Sequence, residues 1–525
     1  MTEYYVAKNG NDGNPGTKAR PWLTIQKAAD TAQPGDFVVV LEGDYLIDER
    51  VYVNNSGSDG MMVTFQTDGQ VEMRGFTIKA DWITVRGFEI PETTPSEVGW
   101  EDGHGVFVHG DHCRIEDNYI HFTTWPGIML YALEGMANPS SYCIVKNNRI
   151  HRCQGAGILV NGRNHLIEYN EVWETIQKHP HWTEWPGWVD ADGMHFHGSG
   201  HVFRGNYIHD ISYDQPENDD PHIDAFQTRY APGELEKATN ILFEKNVVDL
   251  TSHLIGEGVA AIFMLESASD ILIINNKFRS GGGLNTGGGN NSDLKILNNV
   301  WANDLLIPLS LYPCGIGLEN CPNAVVQNNI LYDQPAHTIS AIGNVAGHEI
   351  DYNLAYRSDS QPSWKYKVDY TDVEPPPPHH RWDVDPLFVD PVNLDFRIHG
   401  GSPAKDMGIV LSEVTDDFKG IERPQGSASD IGTFEYEKLP AQGVEEINIT
   451  NWQETGTNVN IPQYSFDLEI KWTDQFGAKR EHSGTYLYPN DISEMPNKAR
   501  RRFAEEMIVA TARVELGIDE WERSE

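Results

Sequence analysis

The chain is poor in basic residues, in cysteine and in long apolar runs, and each shortage removes a class of function. Lys and Arg number 39 against 78 Asp and Glu, for a formal net charge of −39 over 525 residues. That balance excludes nucleic acid as a partner, because counterion release needs stripes of Lys and Arg along the binding surface. The acidity reads as solubility or a saline habitat, and a polyanionic substrate would need a local basic patch. No apolar run approaches the ~18 residues that cross a bilayer, so no membrane partner is expected. The opening MTEYYVAKNG has neither a basic n-region nor an apolar h-region, so no secretory signal is expected in it. Five cysteines are too few for a disulfide framework in a chain of this length. Cys113 and Cys143, placed just before Ile115 and Ile144, read as stacked core thiols and not as a bridge or a metal site.

What the chain has is a repeat. A short pattern of apolar residue, polar residues, Asn and a further apolar residue recurs as RIEDNYI, IVKNNRI, LIEYNEV, VFRGNYI, LFEKNVV, LIINNKF, LKILNNV, VVQNNIL and EIDYNLA. Its asparagines are Asn118, Asn148, Asn170, Asn206, Asn246, Asn276, Asn299, Asn329 and Asn353, at spacings from 22 to 40 residues. The shortest spacing suits one coil of three short strands, and the longer ones are the same coil with inserted loops. TVRGFEI, with Phe88 thirty residues before Asn118, is the preceding coil. Apolar residues alternate with period two and Gly or Asn punctuates each run, which excludes helical repeats. The pattern predicts an all-β fold, a right-handed parallel β-helix of about ten coils from near residue 35 to near 435. The asparagines should form one column at a bend, bonding neighbouring backbone or each other. A second strand follows each unit, in HGVFVHG, PGIMLYA, AGILVNG, DGMHFHG, IDAFQTR and AAIFMLE. Stacking these about 4.8 Å apart turns sequence alignment into proximity.

The two ends are familiar. YYVAKNGNDGNPGTKARPWLTIQKAADTAQPGDFVVVLEGDY resembles the N-terminal cap of the pectate-lyase-like superfamily, and DPLFVDPVNLDFRIHGGSPAKDMG with DIGTFEY resembles the closing turns of bacterial β-helix proteins. The resemblance covers residues 3–437 and implies the fold. It implies no single activity, because the superfamily holds hydrolases, lyases, epimerases, tailspikes and adhesins. The expected organisation is a cap with first coils over 1–80, the β-helix over 81–437 and a small α+β appendage over 438–525. In the appendage, strand-like IPQYSFDLEIKWT and GTYLYP precede PNKARRRFAEEMIVATARVELGI at helical spacing. It is similar to small appendages on virion or phage-encoded proteins, and reads equally as a cap or a dimerisation module. An extracellular or virion-associated place is the expectation.

The two longest coils, between Asn170 and Asn246, are richest in Asp, His and Trp, and insertions on a solenoid flank are where sites are built. HPHWTEWPGWVDADGMHFHGSG brings Trp182, Trp185 and Trp188 up to Asp190, Asp192, His195 and His197. YDQPENDDPHIDAFQTRY supplies Asp219, Asp220, His222, Asp224, Gln227, Arg229 and Tyr230. Aligning DADGMHF with HIDAFQT stacks Asp192 on Asp224, Asp190 on His222, His195 on Gln227 and His197 on Arg229. Two carboxyls one coil apart cannot both ionise cheaply, so they supply a proton donor and a base together, as glycoside hydrolysis requires. The expected catalytic set is therefore Asp192 and Asp224, assisted by Asp190, His195 and His222. His197, Gln227, Arg229 and Tyr230 are expected to bind substrate, with Trp182, Trp185 and Trp188 as a sugar-stacking wall that Trp125 and Tyr131 extend. A second reading makes Asp192 and Asp224 turn caps at strand starts. Parity places them on the core side with Met194 and Phe226 unless the strand bends, whereas His195 and His197, flanking Phe196, should point outward. No pair has zinc-type spacing, so no metal is expected.

DADG at 190–193 is similar to the "NTDG" strand of polygalacturonases, with Asp192 at its aspartate and Asp224 at the second aspartate of that family's "DD" pair. The next coil, IGEGVAAIF, departs from the family's "GHG", and its "RIK" is missing. DPHID at 220–224 is similar to the "DPHD" of alginate epimerases, with one extra residue before Asp224. Calcium-dependent lyases of this fold use a carboxylate cluster with a Lys or Arg base, parts that Asp219, Asp220, Glu257, Glu266 and Arg229 can supply. The leading expectation is a glycoside hydrolase acting on a polysaccharide or oligosaccharide without a cofactor. The alternatives are a polysaccharide lyase or uronate epimerase, with Ca2+ in the lyase case, and a non-enzymatic glycan-binding spike or adhesin.

Overall fold

A computed structural model describes residues 1–46, 50–93, 100–178, 190–211, 223–233, 235–250, 260–287, 289–303, 314–334, 337–363, 366–368, 371–372, 377–436, 444–458, 461–473 and 479–488. The chain divides into two compact units, Met1–Tyr436 and Glu437–Glu525. The first is a right-handed parallel β-helix. Its first coils are covered by α1 (Ile25–Thr31). Thr24 starts that helix by accepting the Lys27 N–H at 3.2 Å, and Ile25, Ala28 and Ala29 enter the core.

Among the described residues, one face of the solenoid is a sheet of thirteen strands, closed by the antiparallel Thr371–Asp372; the other twelve are parallel, one per coil: β1 (Val51–Val53), β2 (Phe76–Ile78), β3 (Val106–Val108), β4 (Ile128–Leu130), β5 (Ala156–Val160), β6 (Asp192–Phe196), β7 (Ile223–Thr228), β8 (Ala260–Leu265), β9 (Leu284–Asn285), β10 (Cys314–Glu319), β11 (His337–Ile342) and β12 (Tyr366–Val368). The rest of each coil joins a second sheet of 24 strands. The Asn column runs along a corner of that second sheet. The Asn118 N–H and Nδ2 both donate to Asn148 Oδ1, at 3.1 and 3.0 Å, and the same double bond repeats up to Asn329 on Asn353. All nine asparagines are buried. The Phe88 N–H donates to Asn118, and the column ends where the Asn353 N–H donates to His380 Nδ1 at 3.0 Å. The residue before most rungs, such as Asp117, Asn147, Asn275 and Asn328, has positive φ, which explains the Asn and Asp at these places.

Inside, apolar residues stack coil on coil, and around β6 to β8 the column widens to Phe196, Phe203, Phe226, Phe243 and Phe263. Cys113, Cys143, Cys153 and Cys321 are buried and unbridged. The coils number more than the expected ten or so, yet they end earlier, with parallel pairing stopping at Arg381–Trp382. The segment beyond pairs antiparallel at Phe388–Asp390 with Asp395–Ile398 and then runs back outside the coils. There it satisfies the turn asparagines: Asn298 Nδ2 donates to the Asp430 carbonyl at 3.1 Å and Asn328 Nδ2 to that of Ile409 at 2.7 Å. Leftover polar groups at the corner hold it there, together with a sealed Arg423–Glu435 pair at 2.7 Å.

The second unit has an antiparallel sheet of β13 (Val444–Asn458), β14 (Ile461–Thr473) and β15 (Lys479–Tyr488). The helix expected over 496–518 lies outside the described residues. No helix among the described residues is long and apolar enough to cross a membrane.

Candidate active site

The site begins with a break in strand alternation. Asp192 stands opposite Ala156 and Met194 opposite Ile158, while Gly157 and Gly193 are skipped; in β7 the pairing skips Ala225 between Asp224 and Phe226. At each skip two successive residues face the core. A Cβ on Gly193 would lie 2.8 Å from Ile208 Cγ2 and 2.6 Å from the Ala225 carbonyl oxygen, so only glycine fits, and Met194 beside it is a core residue. Ala225 and Phe226 both belong to the core. The extra inward residue reverses the alternation, which puts Asp192 on the side of His195 and Asp224 on the side of Gln227.

Met194 then pairs with Phe226 and His195 with Gln227, the register expected from the alignment of the two coils. Asp192 Oδ2 is 2.5 Å from His195 Nε2, and its Oδ1 accepts the Asp224 N–H at 2.6 Å. Asp224 Oδ1 in turn accepts the Ala261 N–H at 3.1 Å, and its Oδ2 accepts from Gln227 Nε2 at 3.3 Å. The carboxyls therefore cap the next coil's backbone as well as facing the site. They are not exposed: both aspartates have 0% accessible surface, whereas the His195 side chain keeps 23%. The bend turns them out of the core but leaves them sealed behind His195 and Gln227.

Burial pushes the Asp192 carboxyl well above the usual carboxylate range, with the charge of Asp190 adding to it. Burial raises Asp224 in the same way, reinforced by Asp192 and opposed by the Ala261 N–H. The His195 imidazole moves the other way, down to about 4, chiefly through burial. Near neutral pH it is an uncharged ring beside a carboxyl that resists ionisation.

His197 departs from expectation. It follows the end of β6, where strand parity lapses, and it is buried with Nδ1 3.5 Å from Thr228 Oγ1; burial brings it down to about 3. Asp190 is half-buried and Arg229 is exposed. Tyr230, 39% exposed, donates its hydroxyl to Glu134 Oε1 at 3.0 Å. Glu134 is 96 positions away and carries no motif, so only the fold reveals it. Tyr131 is half-buried, edge-on to His109 at 5.5 Å, and Trp125 stacks on His104 at 6.0 Å. Trp182, Trp185, Trp188, Asp219, Asp220, His222 and Glu257 lie outside the described residues. Among the described residues no three His, Cys, Asp or Glu side chains converge as a metal ligand set.

Comparison with known proteins bears on the same face. A family model described as a Pel9A-like, right-handed β-helix region matches residues 4–215, and one described as a right-handed β-helix region matches 136–360. An uncharacterised Bacillus subtilis (strain 168) protein, YwoF, is 29% identical over 146 residues, 28% of this chain and 28% of its own length. Pectate lyase L of Dickeya dadantii (strain 3937) is 24% identical over 170 residues, 28% of this chain and 37% of its own. The chain thus spans 28% and 37% of the lengths of the two curated relatives it matches. A solved structure of XylC in complex with xylose covers 83% of this chain and 98% of its own at 13% identity and a TM-score of 0.51, a likeness of fold. The stacked coils, the Asn column and the two family matches, which together span residues 4–360, make the chain a right-handed parallel β-helix protein.

Proposed function

We propose that this protein is a polysaccharide-degrading enzyme that cleaves a glycan lying across the outer face of β5 to β8, with Asp192, His195 and Asp224 handling the proton. The observation that carries the reading is the 2.5 Å contact between Asp192 Oδ2 and His195 Nε2. A partly exposed imidazole backed by a sealed carboxyl of shifted affinity is an arrangement for moving a proton, and such shifts concentrate at functional sites. The likeness to a pectate lyase supports a carbohydrate substrate.

Two chemistries use these groups. In hydrolysis, a carboxyl that keeps its proton gives it to the glycosidic oxygen, the bond to the anomeric carbon breaks, and a water deprotonated by the base completes the substitution. The raised affinities of Asp192 and Asp224 favour this reading. In elimination, the neutral His195 takes the proton from the carbon beside a sugar carboxylate, a carbon–carbon double bond forms, the bond to the leaving oxygen breaks, and the imidazolium hands the same proton to that oxygen. Direct attack by two carboxyls needs both to reach the sugar, whereas His195 already reaches the surface, so elimination suits the geometry better. The test is incubation of the full chain with a panel of polysaccharides, with and without a chelator. Ultraviolet-absorbing unsaturated ends identify elimination, and reducing ends without them identify hydrolysis. Binding with neither product would sink the enzymatic reading and leave a glycan-binding spike or adhesin.

A further inference from the structure

We infer a second glycan-binding site, apart from the face of β5 to β8: a groove along the corner that follows that face, where a neutral sugar chain lies on an aliphatic floor and one pyranose stacks on Tyr142. The inference goes beyond the site reading above and stands whether or not that face cleaves. At this corner the backbone turns through positive φ in coil after coil, from Trp82, His112 and Tyr142 to Asn164, Gly200 and Asn240. The Tyr142 N–H donates to the Arg163 carbonyl at 2.9 Å and that of Asn164 to Ser199 at 2.8 Å, so each corner residue sits above the next. Asn, Asp and Gly suit this conformation, and bulky rings do not. The first three positions are rings nevertheless, piled flat, with His112 on Trp82 at 4.0 Å and Tyr142 on His112 at 5.0 Å between centroids. The pile ends at Tyr142, which is 55% exposed. The next corner residue, Asn164, leans its side chain over Gly200 in the coil beyond, so it does not cover the ring.

Two residues after each corner position the chain sets an aliphatic side chain on its outer surface. Ile144, Leu166, Val202, Leu242 and Leu272 stand in register and are half-buried, whereas the residues that follow them, such as Val145 and Phe203, belong to the core. Two residues further on, the surface carries Lys146, Glu168, Arg204 and Glu244, which neutralise one another through Lys146–Glu168 at 2.8 Å and Arg204–Glu244 at 2.6 Å. The aliphatic stripe is therefore the floor between a corner column and an ion-pair ladder. A depression of about 280 Å³ runs over it from Asn164 and Gly200 to Lys295 and Glu413, and one of about 740 Å³ continues from Asp270 to Glu349. An extended peptide needs partners for its N–H and C=O groups, and the backbone beneath this stripe is already paired coil to coil. A sugar chain has no such need. Its C–H faces suit the aliphatic floor and the Tyr142 ring, and its hydroxyls suit the exposed side-chain amides of Asn164 and Asn240. Exposed Asp270 and Asp293 at the rim favour a neutral chain over an anionic one.

The test measures retardation of the full chain in native gels cast with soluble xylan, galactomannan or dextran, each a neutral polymer, with product formation assayed separately. The expected result is retardation by at least one of them, in wild type and in Asp192→Asn alike. Tyr142→Asn should weaken that binding about five-fold or more, the order of one ring contact, and Tyr142→Phe should keep it. Asparagine is the residue that later coils place at this corner, so melting of Tyr142→Asn should stay close to wild type. Leu242→Asn, at a half-buried place on the floor, should weaken binding as well. Failure to bind any of the three polymers overturns the groove, and so does wild-type affinity in Tyr142→Asn or in Leu242→Asn. A dimer in solution that dissociates in Leu242→Asn, with no glycan bound, gives the groove to a second copy and overturns it too. Tyr142-dependent binding without any product leaves the groove standing and overturns the enzymatic reading alone.

Discussion

Asp192 and His195 stand three places apart in one strand, where regular alternation would put them on opposite faces, yet Oδ2 and Nε2 meet at 2.5 Å. The skipped pairing at Gly193 brings them together. The same skip one coil later, at Ala225, sets Asp224 beneath Gln227 and joins the two coils through the Asp224 N–H on Asp192 Oδ1.

Removing the titration from this pair should abolish turnover without unfolding the protein. Asp192→Asn keeps an oxygen for the Asp224 N–H, and His195→Gln keeps a polar side chain at a partly exposed position. Each should lower kcat by at least about 10²-fold, the usual cost of losing a general acid or base, while melting shifts by only a few degrees. Full activity in Asp192→Asn would return that residue to a turn-capping role.

Gly193→Ala should destabilise the β-helix by about 1–3 kcal/mol, because the new methyl meets Ile208 and the Ala225 carbonyl below contact distance. Adding Ile208→Ala should recover part of the loss. Urea unfolding reads both effects, and a Gly193→Ala protein as stable as wild type would show that the strand relaxes around the methyl.

The Asn column should tolerate no gap. Asn206→Ala removes the oxygen that accepts from both Asn170 N–H and Asn170 Nδ2, and the amide that bonds the Ile167 carbonyl. Each buried group left unpaired costs about 1–3 kcal/mol, so the loss in denaturant unfolding should exceed that of an exposed Asn54→Ala, which should stay within about 0.5 kcal/mol.

Stability should fall on acidification between about pH 6.5 and pH 4. Burial holds His380 down to about 4, so in that interval the unfolded chain binds the proton and the folded one does not. Stability from this group is complete above 6.5 and is lost as pH drops through the folded value. Asp192 and Asp224, shifted upward, act in the opposite sense, their contribution fading as pH rises. His380→Asn keeps an acceptor for the Asn353 N–H and removes the titration, so its melting temperature should fall less over this interval. An equal fall in both proteins would acquit His380.

The solenoid was legible because stacking is local and repetitive. Parallel in-register coils turn a pattern that recurs every 22 to 40 residues into neighbours, which is why the Asn column and the His195–Gln227 pairing follow from alignment alone. The amino-acid order by itself thus determined the fold, the corner column and the two coils that bear the Asp–His cluster. Tertiary structure decided what each side chain faces. Strand parity predicted an outward His197 and left Asp192 to an unspecified bend; the space beside Ile208 places that bend at Gly193, and the end of β6 turns His197 under cover. The reach of the closing segment back to Asn298 and Asn328, and of Glu134 to Tyr230, joins residues about a hundred positions apart with no repeat to relate them. Periodicity encodes which backbones lie side by side, whereas burial, and with it the proton affinities of Asp192, Asp224 and His195, depends on everything packed around them.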